Sequence, residues 1–262
     1  MRKIGFSILI CLLILTSSFQ SLEPKSFKLK TIVIDAGHGG KDPGCSGFGS
    51  KEKDIALDVA LKLGGFIKQN MSDVKIIYTR KTDEFIELHE RAAIANRNNA
   101  DLFISIHVNS GPSGLYGTET FCMGLHKSEQ NLEIAKRENS SILMEHNHSQ
   151  KYEGFDPKSP QSYILFSLYQ NAFMANSTKL AAKIEQEFEK TNKRHSRGVK
   201  QAGFLVLWKT SMPSVLVETG FLTDTTDANY LKKERGRIDT AWGIYSALED
   251  FKTEMEDGED DK

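Results

Sequence analysis

Four side chains in this sequence have the chemistry to hold a metal ion and to move a proton beside it: His38, Glu52, His107 and Glu218. His38 follows the run TIVID at residues 31–35, His107 closes the run LFISIH at 102–107, and Glu218 closes SVLVE at 214–218. Open α/β sheets bind ligands at the carboxyl ends of their strands, so three of the four stand where such a fold places its sites. Glu52 begins a helical pattern just after the glycine-rich loop AGHGGKDPGCSGFGS and can reach the same rim. Two imidazoles and a carboxylate suit zinc and leave a fourth position for water, while a carboxylate outside that set can take a proton. Each residue also has a plainer reading. A histidine at a strand end serves as a hydrogen-bonded structural group, and a glutamate in a first helical turn complements the helix dipole. The residues form no compact motif such as H-E-x-x-H, and their spacing leaves both readings open.

The elements that must position them alternate. After the strand at 31–35, Ile55, Ala56, Val59, Ala60 and Leu63 recur at helical spacing, with Ser50 as the expected N-cap. KIIYT at 75–79 reads as a strand, 86–98 as a helix, 102–108 as a central strand, 118–123 as a strand and 177–188 as an amphipathic helix. A short strand at 215–217 follows Pro213, and a last helix runs over 227–251 with a break near Gly236. This order predicts one α/β domain over residues 28–252, a largely parallel sheet with helices on both faces. Residues 125–175, polar and punctuated by proline, break the rhythm and are expected to form a helical and loop insertion on the rim of the sheet. The acidic stretch 253–262 reads as a disordered tail.

Composition narrows the class. With 34 basic and 35 acidic residues the chain has no cationic surplus, which argues against a nucleic-acid binder held by phosphate charge. Arg2 and Lys3, an apolar run over 4–15 and the small polar Thr16-Ser17-Ser18 have the layout of a secretory signal peptide, about residues 1–20. The run is shorter than the ~20 apolar residues that span a bilayer, which argues for export with cleavage over an uncleaved anchor; a membrane contact is expected only if the signal stays uncleaved. Ile10 before Cys11 argues against lipidation. Cys45 and Cys122 remain in the mature chain, either as a pair or as two separate thiols.

The local wording adds a resemblance. IDAGHGGKDPG around His38, Glu52 opening a helix, ISIHVNS around His107 and MPSVLVETGFLTD around Glu218 together resemble the zinc-dependent N-acetylmuramoyl-L-alanine amidases of the AmiC-like family. The YTR end at Arg80, ERAAIAN at 90–96 and RGVKQAGFLVL at 197–207 match as well, so the resemblance spans residues 31–251. It implies a mixed sheet, one zinc ion bound by His38, Glu52 and His107, and Glu218 as the catalytic carboxylate. The implied reaction strips stem peptides from peptidoglycan in the bacterial periplasm or cell wall, for wall remodelling or daughter-cell separation. Leu222-Thr223-Asp224 departs from the usual small residue and Asn of the family. Asn109 and Arg80 are expected as substrate contacts, with a turn and a structural ion pair as their alternatives. The insertion resembles in position one whose helix covers the zinc in some relatives and is withdrawn by an activator protein. Glu133, Glu138 or Glu145 would then occupy the fourth position, whereas the plainer reading makes the segment a groove wall. His89, His126, His146, His148 and His195 are expected at the surface. Two other functions stay in play: a zinc peptidase cutting within stem peptides, and a wall-binding regulator without catalysis.

Overall fold

The computed structural model describes residues 28–167 and 173–257; the expected signal segment and residues 258–262 lie outside them. In chain order the elements are β1 (Thr31–Ala36), a hairpin of β2 (Ser46–Gly47) and β3 (Ser50–Lys51), α1 (Glu52–Asn70), β4 (Lys75–Tyr78), α2 (Leu88–Arg97), β5 (Leu102–Asn109) and β6 (Thr118–Met123). There follow α3 (Glu129–Asn139), a 3-10 turn (Ser140–Met144), α4 (His148–Lys151), α5 (Pro160–Ser167), α6 (Met174–Lys190), β7 (Ser196–Ala202), α7 (Leu205–Trp208), β8 (Ser214–Phe221), α8 (Thr225–Lys232) and α9 (Glu234–Asp257). Among the described residues the main sheet has the order β4-β1-β5-β8-β6-β7. β4, β1, β5 and β8 run parallel, β6 is antiparallel to β8, and β7 is parallel to β6, so the sheet is mixed and mostly parallel.

The two faces of the sheet differ, and the difference builds the site. Ile32, Ile34, Ile104, Ile106, Val215 and Val217 point to one face, where residues of α1, α6 and α9 cover them in one apolar cluster. Val33, Phe103 and Leu216 point to the other. Strand side chains alternate with period two, so the same second face carries Asp35 on β1, Ser105 and His107 on β5, and Glu218 on β8. It is apolar at the amino ends of the parallel strands and polar at their carboxyl ends.

The insertion reaches the rim and extends beyond it to cover this second face. Leu132, Ile134, Ala135, Ile142, Tyr152, Phe155 and Tyr163 share a buried cluster with Phe121, Met123, Ala202 and Phe204. Ser128 caps α3, its hydroxyl accepting from Asn131 N at 3.2 Å. Other boundaries also moved. Lys51, not Ser50, is the N-cap of α1, and no side chain caps it. The final helical stretch breaks at Lys233, between α8 and α9, and α9 continues to Asp257. Residues 253–257 are therefore helix, not tail, fastened where Glu254 pairs with Lys179 and Lys183 and Glu256 accepts from Leu29 N. Cys45 and Cys122 are separate free thiols, and burial pushes Cys122 up to about 12.

Candidate metal centre

His38, Glu52 and His107 meet at the carboxyl rim of the second face, and a fourth residue joins them from the insertion, Glu138 of α3. His38 Nε2 lies 3.0 Å from Glu52 Oε1 and 3.1 Å from Glu138 Oε2. His107 Nδ1 lies 3.0 Å from each of the same two oxygens. All four donor atoms are buried and lie within 4.8 Å of one another. Ligand bonds of ~2 Å in a tetrahedron would set donors ~3.3 Å apart, so this spacing fits an ion such as zinc. A second observation agrees. His38 Nε2 and Glu138 Oε2 are buried without a properly directed hydrogen bond, which is how atoms aimed at a common centre are left.

The chain holds these side chains tightly. Glu52, the first residue of α1, accepts from Val108 N at 3.0 Å and from Cys45 N at 2.8 Å. His38 has its backbone in the left-handed region, φ 57°, and its Nδ1 bonds Asp42 Oδ2 at 2.8 Å. A carboxylate on the outer ring nitrogen fixes the tautomer and the orientation of a ligating imidazole. Gly37 has no room for a side chain, since a Cβ there would stand 2.5 Å from His107 Cε1. Arg91 of α2 is buried and donates to Asp35 Oδ1 (2.9 Å), Ala36 O (2.7 Å) and His38 O (2.8 Å). Burial raises the Asp35 pKa, but the Arg91 charge and the hydroxyls of Ser105 and Thr79 outweigh it and hold the carboxyl below its usual range.

The sequence expectations sort clearly. Arg80 is 2 % exposed and donates to the carbonyls of Ala36, Gly37, Lys53 and Thr82, and it forms no ion pair among the described residues. It ties the strand end to the loop after β1. Asn109 is fully buried, bonded to Glu119 Oε2 at 3.3 Å and to Arg137 Nη2 at 3.0 Å. Of the three glutamates, Glu138 reaches the centre. Glu133 is exposed and pairs with Lys136. Glu145 is buried elsewhere, accepting from Leu88 N at 2.9 Å and Tyr152 Oη at 2.8 Å, which fastens the insertion to the start of α2. His146 and His195 are exposed; His89, half-buried, lies 3.7 Å from Glu145 Oε2. Asp42, Arg91 and Arg137 are site residues that the sequence reading missed, although GHGGKD and ERAAIAN already carried the first two.

Glu218 lies directly across from His107 in the β5–β8 register. Both its carboxylate oxygens are buried without a hydrogen bond, the nearest cation being Arg137 Nη2 at 3.6 Å. Burial first, and the negative charge of Glu138 second, push its pKa well above the usual carboxylate range. Glu138 is driven the other way, well below that range, because His107, Arg137 and His38 outweigh its burial. Arg137 also donates to Ser110 O at 2.8 Å, so the adjacent pair Arg137 and Glu138 spans the whole centre.

A mostly parallel α/β sheet thus carries at its rim a donor set that could hold a metal ion, with a buried carboxyl group beside it. The family model Amidase_3, described as N-acetylmuramoyl-L-alanine amidase, matches residues 32–250. N-acetylmuramoyl-L-alanine amidase AmiA of Escherichia coli is 33 % identical over 212 residues, 79 % of this chain and 71 % of that one. The crystal structure of N-acetylmuramoyl-L-alanine amidase from Clostridium difficile 630 superposes with a TM-score of 0.63 at 25 % identity, covering 86 % of this chain and 97 % of that one. The CwlD amidase of Clostridioides difficile, solved in complex with the GerS lipoprotein, superposes with a TM-score of 0.61 at 27 % identity, over 85 % and 98 %. This chain belongs to the N-acetylmuramoyl-L-alanine amidase family.

Proposed function

We propose that this protein hydrolyses the amide joining the lactyl group of N-acetylmuramic acid to L-alanine in peptidoglycan, with one zinc ion held by His38, Glu52 and His107, and that Glu138 keeps the resting site closed. The observation that carries the reading is four buried donors within 4.8 Å beside the unpartnered carboxylate of Glu218. Zinc bound there supplies Lewis acidity, which polarises the scissile carbonyl and acidifies water. The chain does the rest. Asp42 orients His38, and Val108 N and Cys45 N orient Glu52. Glu218, a carboxyl raised by burial, takes a proton from the attacking water and returns one to the alanine nitrogen. When α3 withdraws, Arg137 leaves with Glu138, and Asn109 and Glu218 become accessible together.

The signal-like N-terminus and the family's substrate support export to the bacterial periplasm or cell wall, in wall remodelling or daughter-cell separation. No helix among the described residues is long and apolar enough to cross a membrane. A closed site calls for an activator protein that draws α3 away, and the complex of the related CwlD with GerS supports such a partner. Product analysis on purified wall, with and without a chelator, tests the reading. An amidase releases peptides with a free N-terminal alanine and glycan without peptide, whereas a stem-peptide peptidase leaves alanine on the glycan. Glu218→Gln should lower turnover by ~10²–10⁴-fold with zinc content near that of the parent, and retained activity refutes its role.

A further inference from the structure

Two cations under the insertion have no part in holding the metal set. Arg197 and Lys200 lie on β7, whose amino end shares the rim with the carboxyl end of β8, because β6 runs antiparallel to β8 and parallel to β7. Glu119, paired with Glu218 in the β6–β8 register, is fully buried. Its Oε1 accepts from Arg197 Nε and from Lys200 Nζ, the latter at 2.7 Å, and its Oε2 accepts from Asn109 Nδ2. One carboxylate thus serves two cations, one strand away from Glu218.

The outer edge of Arg197 is poorly occupied. Its Nη2 reaches Gln130 Oε1 of α3 at 3.4 Å, a weak contact, and Gln130 Nε2 is buried with no partner. Phe221 supports the guanidinium from below, its ring centroid 5.5 Å away. A planar guanidinium held at Nε and backed by a ring is oriented to receive a carboxylate with its terminal nitrogens. Gln130, a neutral acceptor on the helix that closes the site, stands where that carboxylate would lie.

Resting on the amidase reading, we propose that Arg197, supported by Lys200, binds a carboxylate of the substrate's peptide, the nearest candidate being the α-carboxylate of the residue after alanine, a glutamate that peptidoglycan joins onward through its side-chain carboxyl. The pair also offsets the repulsion such a group would meet from Glu119 and Glu218. Zinc-loaded full-length protein is assayed on two disaccharide–pentapeptide substrates, one with that α-carboxylate free and one with it amidated. The work of displacing α3 is common to both substrates and cancels in their ratio. The free carboxylate should raise kcat/KM by ~10–100-fold, the range for one charged hydrogen bond, and Arg197→Gln should remove most of that preference. Equal kcat/KM on the two substrates, or an Arg197→Gln variant that slows both alike, overturns the proposal. The substrate comparison on unaltered protein decides even if Arg197→Gln does not fold. Failure of the Glu138→Ala protein, which lacks the carboxylate that closes the site, to cut either substrate at the muramoyl–alanine bond instead refutes the amidase reading, and the subsite falls with it.

Discussion

Replacing Glu138 by Ala should convert the resting protein into one that works without an activator. Glu138 Oε2 lies 3.1 Å from His38 Nε2 and 3.0 Å from His107 Nδ1, and its Oε1 accepts from Arg137 at 2.8 Å. The two Oε2 contacts are the ones that cross from α3 to the sheet, and at the ~1.5–3 kcal/mol of a polar contact to a charged group, loss of one shifts the closed-to-open ratio by ~10–100-fold. The variant should therefore release soluble peptide from labelled wall ~10–100-fold faster than its parent. The gain has a ceiling, because α3 stays fastened by Asn139, which donates to Gly203 O and accepts from Leu205 N, and by its apolar packing. Deleting the insertion would be a poorer test, since it would strip cover from Phe121, Met123 and Phe204 and threaten the fold. A second readout follows from Glu218. Removing the Glu138 charge takes away one of the two main causes that raise its pKa, so the acid limb of the pH–rate profile should move to lower pH. A folded, zinc-loaded Glu138→Ala variant no faster than its parent would refute the closed-site reasoning.

Three further outcomes are expected. Asp42→Asn should weaken zinc binding by ~10–100-fold in chelator competition, because the partner that orients His38 is lost. Glu145→Ala takes the acceptor from Leu88 N and from the Tyr152 hydroxyl proton, which costs ~1–3 kcal/mol and should show as faster amide exchange across residues 141–155 together with a rise in basal activity. In metal-stripped protein, burial opposes protonation of His107, yet the charge of Glu138 and the hydrogen bond to Glu52 push it up to about 9. A group raised in the folded state stabilises fully below its unfolded pKa of ~6.5, so the melting temperature of the stripped protein should fall as pH climbs from there through about 9. Reloading zinc should flatten that decline.

The polar end of the second face was legible in the sequence because strand periodicity is strict. Phe103, Ser105 and His107 alternate with Ile104, Ile106 and Val108, so the run states which residues face which layer and where apolar gives way to polar. The helical reading of 177–188 held inside α6, since its buried side is apolar at helical spacing. β7 was missed for the opposite reason. SRGVKQA lies at the sheet edge, half-buried along six of its seven residues, and shows no alternation to detect. The choice among Glu133, Glu138 and Glu145 was equally out of reach: it depends on how α3 docks against a sheet distant in sequence. Ile134, Ala135 and Glu138 share the buried side of that helix while Glu133 faces water, and only the docking fixes which side goes down. The same holds for Arg80 and Arg91, whose partners are mostly backbone carbonyls with no signature of their own.

Phe121, Met123 and Phe204 pack beneath the insertion, so under the closed-site proposal the silent form of the protein is also its best-packed form. Control and foldedness thus draw on the same apolar atoms. A substitution there that makes the enzyme leak will melt it earlier, and selection against stray wall damage will look, at those positions, like ordinary selection for a sound core. Whatever protein opens the site must bring apolar surface of its own, or the opened enzyme will be short-lived.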